Sequence, residues 1–188
     1  MTVGVLLLAA GRSQRFGSDK RLAPLPSGDP LLFAVVATIR HSGLPLRVCL
    51  RPGDDPLRER LLAERVPVLV CEHAAQGMGA TLADAVVQLT GWEGLLVALA
   101  DMPAIRPQTF RQVAAALTTD IVVTPTYAGK PGHPVGFGRA FFSALARLQG
   151  DRGARDLVRQ AGSGRLCLPL ADPGILRDVD YPADLAAL

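Results

Sequence analysis

Aromatic residues are scarce in this sequence. Phe, Trp and Tyr make up 5% of 188 residues, so any core must be built mainly from Leu, Val and Ala. Lysine is scarcer still: Lys20 and Lys130 stand alone, and all other strongly basic residues are arginines. No Lys/Arg block occurs, and the formal net charge is only +3. That is too diffuse for a nucleic-acid partner, which needs a clustered basic face. A mild arginine excess suits anionic small molecules, because guanidinium pairs bidentately with phosphate and carboxylate. No apolar run reaches the length of a membrane span. Cysteines are few and odd in number, and Cys49, Cys71 and Cys167 lack metal-ligand spacing. Each lies in an apolar, strand-like run, so all three are expected as buried small hydrophobes. The N-terminal MTVGVLLLAAG lacks a basic lead-in and runs straight into a Gly-Arg loop, unlike a signal peptide. The expectation is a cytoplasmic protein with neither membrane nor nucleic acid as partner.

What is present is a folding composition, 49% hydrophobic and 20% charged. The length fits one domain over residues 1–188. Apolar runs of strand length occur at Val3–Ala9, Leu46–Leu50, Val66–Cys71, Leu95–Ala100, Ile121–Thr124, Val135–Phe137 and Arg165–Pro169. Between them lie stretches of helix length: Pro30–Ser42, Pro56–Glu64, Met78–Thr90, Pro107–Leu117, Arg139–Leu148, Ala154–Ala161 and Pro182–Leu188. Pro30, Pro56 and Pro107 mark helix starts, and Gly43 and Gly91 mark stops. This alternation predicts an α/β fold, a three-layer Rossmann-like arrangement with a mostly parallel central sheet and helices on both faces. Whether the helices near Leu145 and Leu157 belong to the core or to an edge layer is left open.

Ligands of such a sheet bind beyond the carboxyl ends of its strands. The first such place is the loop Leu8-Ala9-Ala10-Gly11-Arg12-Ser13. Small residues let backbone approach a ligand, and consecutive N–H groups form an anion nest. Arg12, Arg15 and Lys20 add three cations within nine residues. Together they suit a triphosphate; a loop with solvated charges is the plain alternative. The spacing matches neither GxxxxGK[ST] nor GxGxxG.

Three further places are polar where a site requires it. Gln76-Gly77-Met78-Gly79-Ala80-Thr81 precedes a helix whose N-terminus would offer free N–H groups to a nucleotide, unless the glycines are an ordinary cap. Asp101 ends the apolar strand GLLVALA, where a carboxylate either holds a divalent cation or caps a turn. Asp180 precedes Pro182 and is open to the same two readings. Arg51, Glu72 and Gln76 follow strands two and three and would reach a base or ribose.

LAAGRSQRFGSDK resembles the signature LAAGxSxRxGxxK of nucleotidyltransferases related to the molybdenum cofactor guanylyl- and cytidylyltransferases. QGMGATL resembles that family's EGMSxSL, with Thr81 keeping a hydroxyl. LADMP resembles its L(G/A)DMP, and DVDYPAD its D(I/V)DTPxD, with Tyr181 in place of Thr. GKPGHPV and GDRGAR resemble segments of the cytidylyltransferase-like branch. These motifs run in family order from Val3 to Asp184.

The resemblance implies nucleotide binding by Leu8, Ala9, Ala10, Gly11, Arg12, Lys20, Gly77, Gly79 and Thr81. It implies catalytic roles for Lys20, Arg15 and Asp101, and a Mg²⁺ cofactor on Asp101 and Asp180. His133 and Arg155 would meet the acceptor. The implied reaction transfers CMP from CTP to the terminal phosphate of a molybdopterin-type cofactor, with pyrophosphate released and the product passed to a molybdenum hydroxylase. Ala9-Ala10-Gly11 is similar to the cytidine version of the loop; guanylyltransferases more often carry LAGG. Transfer of another nucleotide to a different phosphorylated acceptor, and non-catalytic delivery of the cofactor, remain as alternatives.

Overall fold

Strand β1 (Val3–Leu8) is buried along its whole length, as six consecutive apolar residues require. Its side chains alternate between two cores: Val3, Val5 and Leu7 in one, Leu6 and Leu8 in the other. A central strand of this kind must be covered on both faces. The computed structural model describes residues 1–13 and 16–187.

Helices α1 (Leu31–His41), α2 (Asp55–Ala63) and α4 (Pro107–Ala115) cover one face. They contribute Leu32, Val36, Ile39, Leu57, Leu61, Phe110 and Val113 to the first core. Helices α3 (Met78–Val87), α5 (Phe142–Leu145) and α6 (Arg155–Gln160) lie on the other. There Leu82, Ala85, Val86, Phe142 and Leu145 are buried, while Leu157 and Val158 pack at the margin. Leu145 is therefore core and Leu157 belongs to an edge layer.

The remaining strands are β2 (Leu46–Leu50), β3 (Val68–Val70), β4 (Gly94–Leu99), β5 (Val122–Tyr127), β6 (Lys130–Pro131), β7 (Val135–Gly138) and β8 (Arg165–Pro169). The hydrogen-bonded order is β3-β2-β1-β4-β7-β5-β6, with β8 on β5. β1 pairs in parallel with both β2 and β4, and β3 with β2. β7 runs antiparallel to β4 and β5, and β8 is parallel to β5. The fold is thus the expected α/β arrangement with a mostly parallel sheet. The chain moves from β1 outward to β3 and then returns to the other side of β1 with β4. That reversal opens a crevice beyond the carboxyl ends of β1 and β4.

Four expectations need correction. The stretch at 139–148 is a 3₁₀ turn (Arg139–Phe141) followed by the short α5. It stops early because Gln149 and Gly150 are drawn against the start of α3. The last segment, Pro182–Ala187, is 3₁₀ rather than α; Asp184 accepts the N–H groups of Asp180 and Tyr181 and tightens the turn. Helix α3 ends at Val87, ahead of Gly91. Cys49 and Cys71 are buried as expected, but Cys167 is exposed, because among the described residues β8 pairs with β5 alone and leaves side chains open to solvent. Burial pushes the Cys49 thiol well above its ordinary range, and the neighbouring Cys71 adds to this. Among the described residues no helix is long and apolar enough to cross a membrane.

Candidate active site

The crevice at the β1/β4 reversal is a cleft of about 600 Å³. Its floor is Leu8, Ala9, Ala10, Gly11 and Arg12 from the first loop, with Leu99, Ala100 and Asp101 beside them. Lys20, Gln76, Gly77, Thr81, Asp151 and Asp180 close the sides. Residues separated by most of the chain meet here because parallel strands deliver all their outgoing loops to one end of the sheet.

Lys20 is the hinge of the polar wall. It starts a 3₁₀ turn (Lys20–Leu22) capped by Asp19. Its Nζ donates to Asp101 Oδ2 at 2.7 Å and to the Val179 carbonyl at 2.9 Å. Asp180 Oδ1 lies 3.7 Å from the same ammonium. The C-terminal segment is held there by the Val179 N–H, which donates to the Asp101 carbonyl at 2.8 Å. Asp184 accepts the N–H groups of Asp180 and Tyr181 ahead of the last turn and so fixes the backbone that carries Asp180. Those two N–H groups also keep the Asp184 carboxyl below its ordinary range.

Asp101 Oδ1 is buried and has no hydrogen-bond partner among the described residues. A carboxylate oxygen in that state is costly unless something positive meets it. Two carboxylates converging on one point, one with an unused oxygen, fit a hard divalent cation, which takes oxygen ligands and completes its shell with water and phosphate. No cluster of three or more metal-ligating side chains exists among the described residues; Asp101 and Asp180 are the pair that would hold the ion.

The start of α3 differs from the expectation of free N–H groups. The Gly79 N–H donates to the Gly150 carbonyl at 2.8 Å, and the Met78 N–H to Asp151 Oδ1 at 3.3 Å. Gly77 has φ +117°, and a Cβ there would lie 2.7 Å from Asp151 Cα. Gly79 is outside the cleft wall, and a Cβ on it would lie 2.9 Å from two carbonyl oxygens. Gly79 therefore serves close packing of the 149–151 segment rather than direct ligand contact. Gly77 and Thr81 do face the cleft, with Thr81 Oγ1 donating to the Gly77 carbonyl at 3.0 Å.

His133 and Arg155 do not line the cleft. His133 sits behind Asp101, with Nδ1 3.4 Å from the Val97 carbonyl. Burial lowers its pKa, opposed by that hydrogen bond and by the charges of Asp101 and Asp178. Arg152 approaches Asp156 at 3.8 Å, and Arg159 pairs with the same carboxylate; such exposed pairs contribute little. Arg15 lies outside the described residues. Glu72 and Arg51 do not reach the cleft, whereas Gln76 does.

Arg21 and Asp54 had no sequence signal for a role at the site. Arg21 is 4% exposed and bridges Asp19, Asp54 and the Ala9 carbonyl behind the loop. Burial works against its charge, but the hydrogen bonds to Asp54 and Asp19 outweigh this and raise its pKa. The hydrogen bond from Arg21 in turn lowers Asp19. Arg51 Nη1 donates to the Gly11 carbonyl at 2.7 Å, and its Nε lies 3.3 Å from Asp54. Asp54 reads in sequence only as part of a helix start.

Residues 5–165 match the MobA-like NTP transferase domain. The chain belongs to this family. It is a nucleotidyltransferase, with the α/β sheet of that class. The Purine catabolism protein PucB of Bacillus subtilis (strain 168) is 28% identical over 194 residues, covering 97% of this chain and 93% of that protein. Rv0371c of Mycobacterium tuberculosis H37Rv superposes with a TM-score of 0.83 at 29% identity, over 100% of this chain and 96% of that one. Its complex with manganese superposes at 0.80 and 26% identity, covering 100% and 97%. Molybdopterin-guanine dinucleotide biosynthesis protein A of Archaeoglobus fulgidus shares the fold, with a TM-score of 0.70 at 18% identity over 98% and 95% of the two chains.

Proposed function

We propose that this member of the family transfers CMP from CTP to the terminal phosphate of a molybdopterin-type cofactor, releasing pyrophosphate. The observation that carries the site assignment is the convergence of Lys20, Asp101 and Asp180 beside the loop Ala9–Arg12 at one end of the sheet. The cytidine base rests on Ala9-Ala10-Gly11, and the acceptor on GHPV and GDRGAR. Membership of a MobA-like family and the relationship to PucB support a role in molybdenum cofactor metabolism.

In this reading the N–H groups of the first loop take the triphosphate oxygens, and Lys20, with Arg12 and Arg15, holds the β- and γ-phosphates. These residues orient the α-phosphorus for in-line attack by the acceptor's phosphate and stabilise the leaving pyrophosphate. Asp101 and Asp180 would hold a divalent cation, here Mg²⁺, as manganese is found with Rv0371c. When bound, that ion supplies positive charge to the phosphate oxygens on which charge grows. An acceptor phosphate is already ionised at neutral pH and needs no general base. His133, half-buried and with its pKa lowered by burial, and Arg155 would meet the acceptor outside the cleft that holds the nucleotide. Residues 1–188 work as a single domain in the cytoplasm, where nucleoside triphosphates are made, and a molybdenum hydroxylase receives the product.

The test is pyrophosphate release measured across CTP, GTP, ATP and UTP, with and without the molybdenum cofactor and Mg²⁺. Release with CTP alone, dependent on cofactor and metal, is the expected result. Preference for GTP would move the protein to the guanylyl branch. Release with a sugar phosphate and no cofactor would replace the acceptor.

A further inference from the structure

Arg21 lies in the wall of the cleft, yet it has nothing to offer a ligand. A guanidinium carries five N–H donors, and here every one is used. Nε donates to Asp19 Oδ1 at 2.8 Å. Nη1 donates to the Ala9 carbonyl at 2.8 Å and to Asp54 Oδ2 at 2.5 Å. Nη2 donates to Asp19 Oδ2 at 2.7 Å and to Asp54 Oδ1 at 2.9 Å. Asp54 also meets Arg51, whose other end holds the Gly11 carbonyl. Two arginines and two aspartates thus form a neutral, mutually satisfied unit that grips the loop at two carbonyls, residues 9 and 11. Neither Asp54 nor Arg51 reaches the cleft.

The direction of those carbonyls has a consequence. In a trans peptide the C=O of one residue and the N–H of the next lie in one plane and point in opposite directions, on opposite sides of the C–N bond. Turning the Ala9 and Gly11 carbonyls onto the arginines therefore turns the N–H groups of Ala10 and Arg12 the other way. Ala10, Gly11 and Arg12 line the cleft, and their N–H groups make no hydrogen bond to another described residue. Donors held in place before the ligand arrives give stronger anion binding than donors that must be ordered on binding.

The geometry points to Arg51, acting directly on the Gly11 carbonyl, and Asp54, acting through Arg21 on the Ala9 carbonyl, as positioning residues that set the first loop as an amide cradle for the pyrophosphate portion of the nucleotide. This rests on the reading of the cleft as the nucleotide site, and goes beyond it by assigning affinity to side chains that never touch the ligand.

The test uses the full chain with Arg51→Met and Asp54→Asn, and inorganic pyrophosphate as the probe alongside CTP. Arg51→Met is expected to weaken pyrophosphate binding and to raise the KM for CTP, each about tenfold, because an ordered hydrogen bond to a charged group is worth roughly that factor. kcat should change much less. Arg51→Lys, which keeps a donor for the Gly11 carbonyl, should recover part of the loss. Asp54→Asn should repeat the effect; if it does not fold, Arg51→Met still decides. Pyrophosphate affinity unchanged in folded Arg51→Met overturns the positioning role while leaving the site reading intact. Loss of CTP affinity without loss of pyrophosphate affinity also overturns it, since Arg51 would then act on base or ribose. Failure of the unmodified protein to bind pyrophosphate overturns the site reading itself.

Discussion

The ammonium of Lys20 sits 2.7 Å from one oxygen of Asp101, and the other oxygen of that carboxylate is buried without a partner among the described residues. Lys20 thus satisfies half of Asp101 and leaves the other half facing inward. Both side chains are about four-fifths buried, so the pair is weakly screened. Lys20→Met should lower kcat by about 10²–10³, the cost of removing one charge-stabilising group from an active site. It should also leave the carboxylates more receptive to a cation. Thermal unfolding with added Mg²⁺ or Mn²⁺ should show a larger stabilisation for Lys20→Met than for the unmodified protein. An equal or smaller shift would count against a cation at Asp101.

Gly79→Ala tests the packing of the 149–151 segment on α3. The new Cβ would sit 2.9 Å from the carbonyl oxygens of Gln149 and Gly150, both backbone atoms that cannot rotate away. Overpacking of this kind costs about 1–3 kcal/mol, measurable by urea unfolding. A loss below 0.5 kcal/mol would mean, within the usual spread of neutral substitutions (about ±0.5), that the segment yields freely.

Asp172 anchors the segment that carries Val179 and Asp180 back to Lys20. Its carboxylate is buried and accepts from Thr109 Oγ1, the Arg106 N–H and the Gly174 N–H. Asp172→Ala leaves those donors unpaired and should cost about 2–4 kcal/mol. Turnover should fall with it, because Asp180 loses its support. Thr109→Val removes one donor and keeps the anchor, so about 1 kcal/mol of stability and little activity should be lost. Equal effects on turnover from both variants would contradict this division.

The half-buried His133 makes stability depend on pH. Burial holds its pKa below the ordinary value of about 6.5. The unfolded chain therefore takes up the proton first as pH falls. Stability contributed by the neutral ring is fully present above about pH 6.5 and is lost as pH drops from there through the lowered folded-state pKa. His133→Asn should flatten that acid slope in a denaturant titration series between about pH 7 and 4.5. An unchanged slope would assign the acid sensitivity to other groups.

Much of this molecule is written locally. Six apolar residues in a row at Val3–Leu8 can form only a strand covered on both sides, and Pro56 and Pro107 near the starts of α2 and α4 behave as their fixed φ requires. The loop after β1 and the aspartate after β4 were legible as parts of one candidate site, because a parallel sheet sends such ends to one place. Legibility failed where a residue's role depends on a distant partner. Gly79 has the signature of a ligand loop, but its space is filled by Gly150. Cys167 has the surroundings of a core residue, but its strand has an open side. Arg21 follows Lys20 directly, and nothing in its neighbours foretells Asp54, thirty-three positions on.

The sequence alone determined the alternation of strand and helix, the burial of the central strands and the chemical character of the loops, since these follow from residue type and short-range spacing. Only the tertiary structure decided which charges meet: Lys20 with Asp101, Arg21 with Asp54 and Arg51 with the Gly11 carbonyl. An ion pair is a relation between two points in space, and spacing along the chain does not encode it until the sheet order has brought those points together.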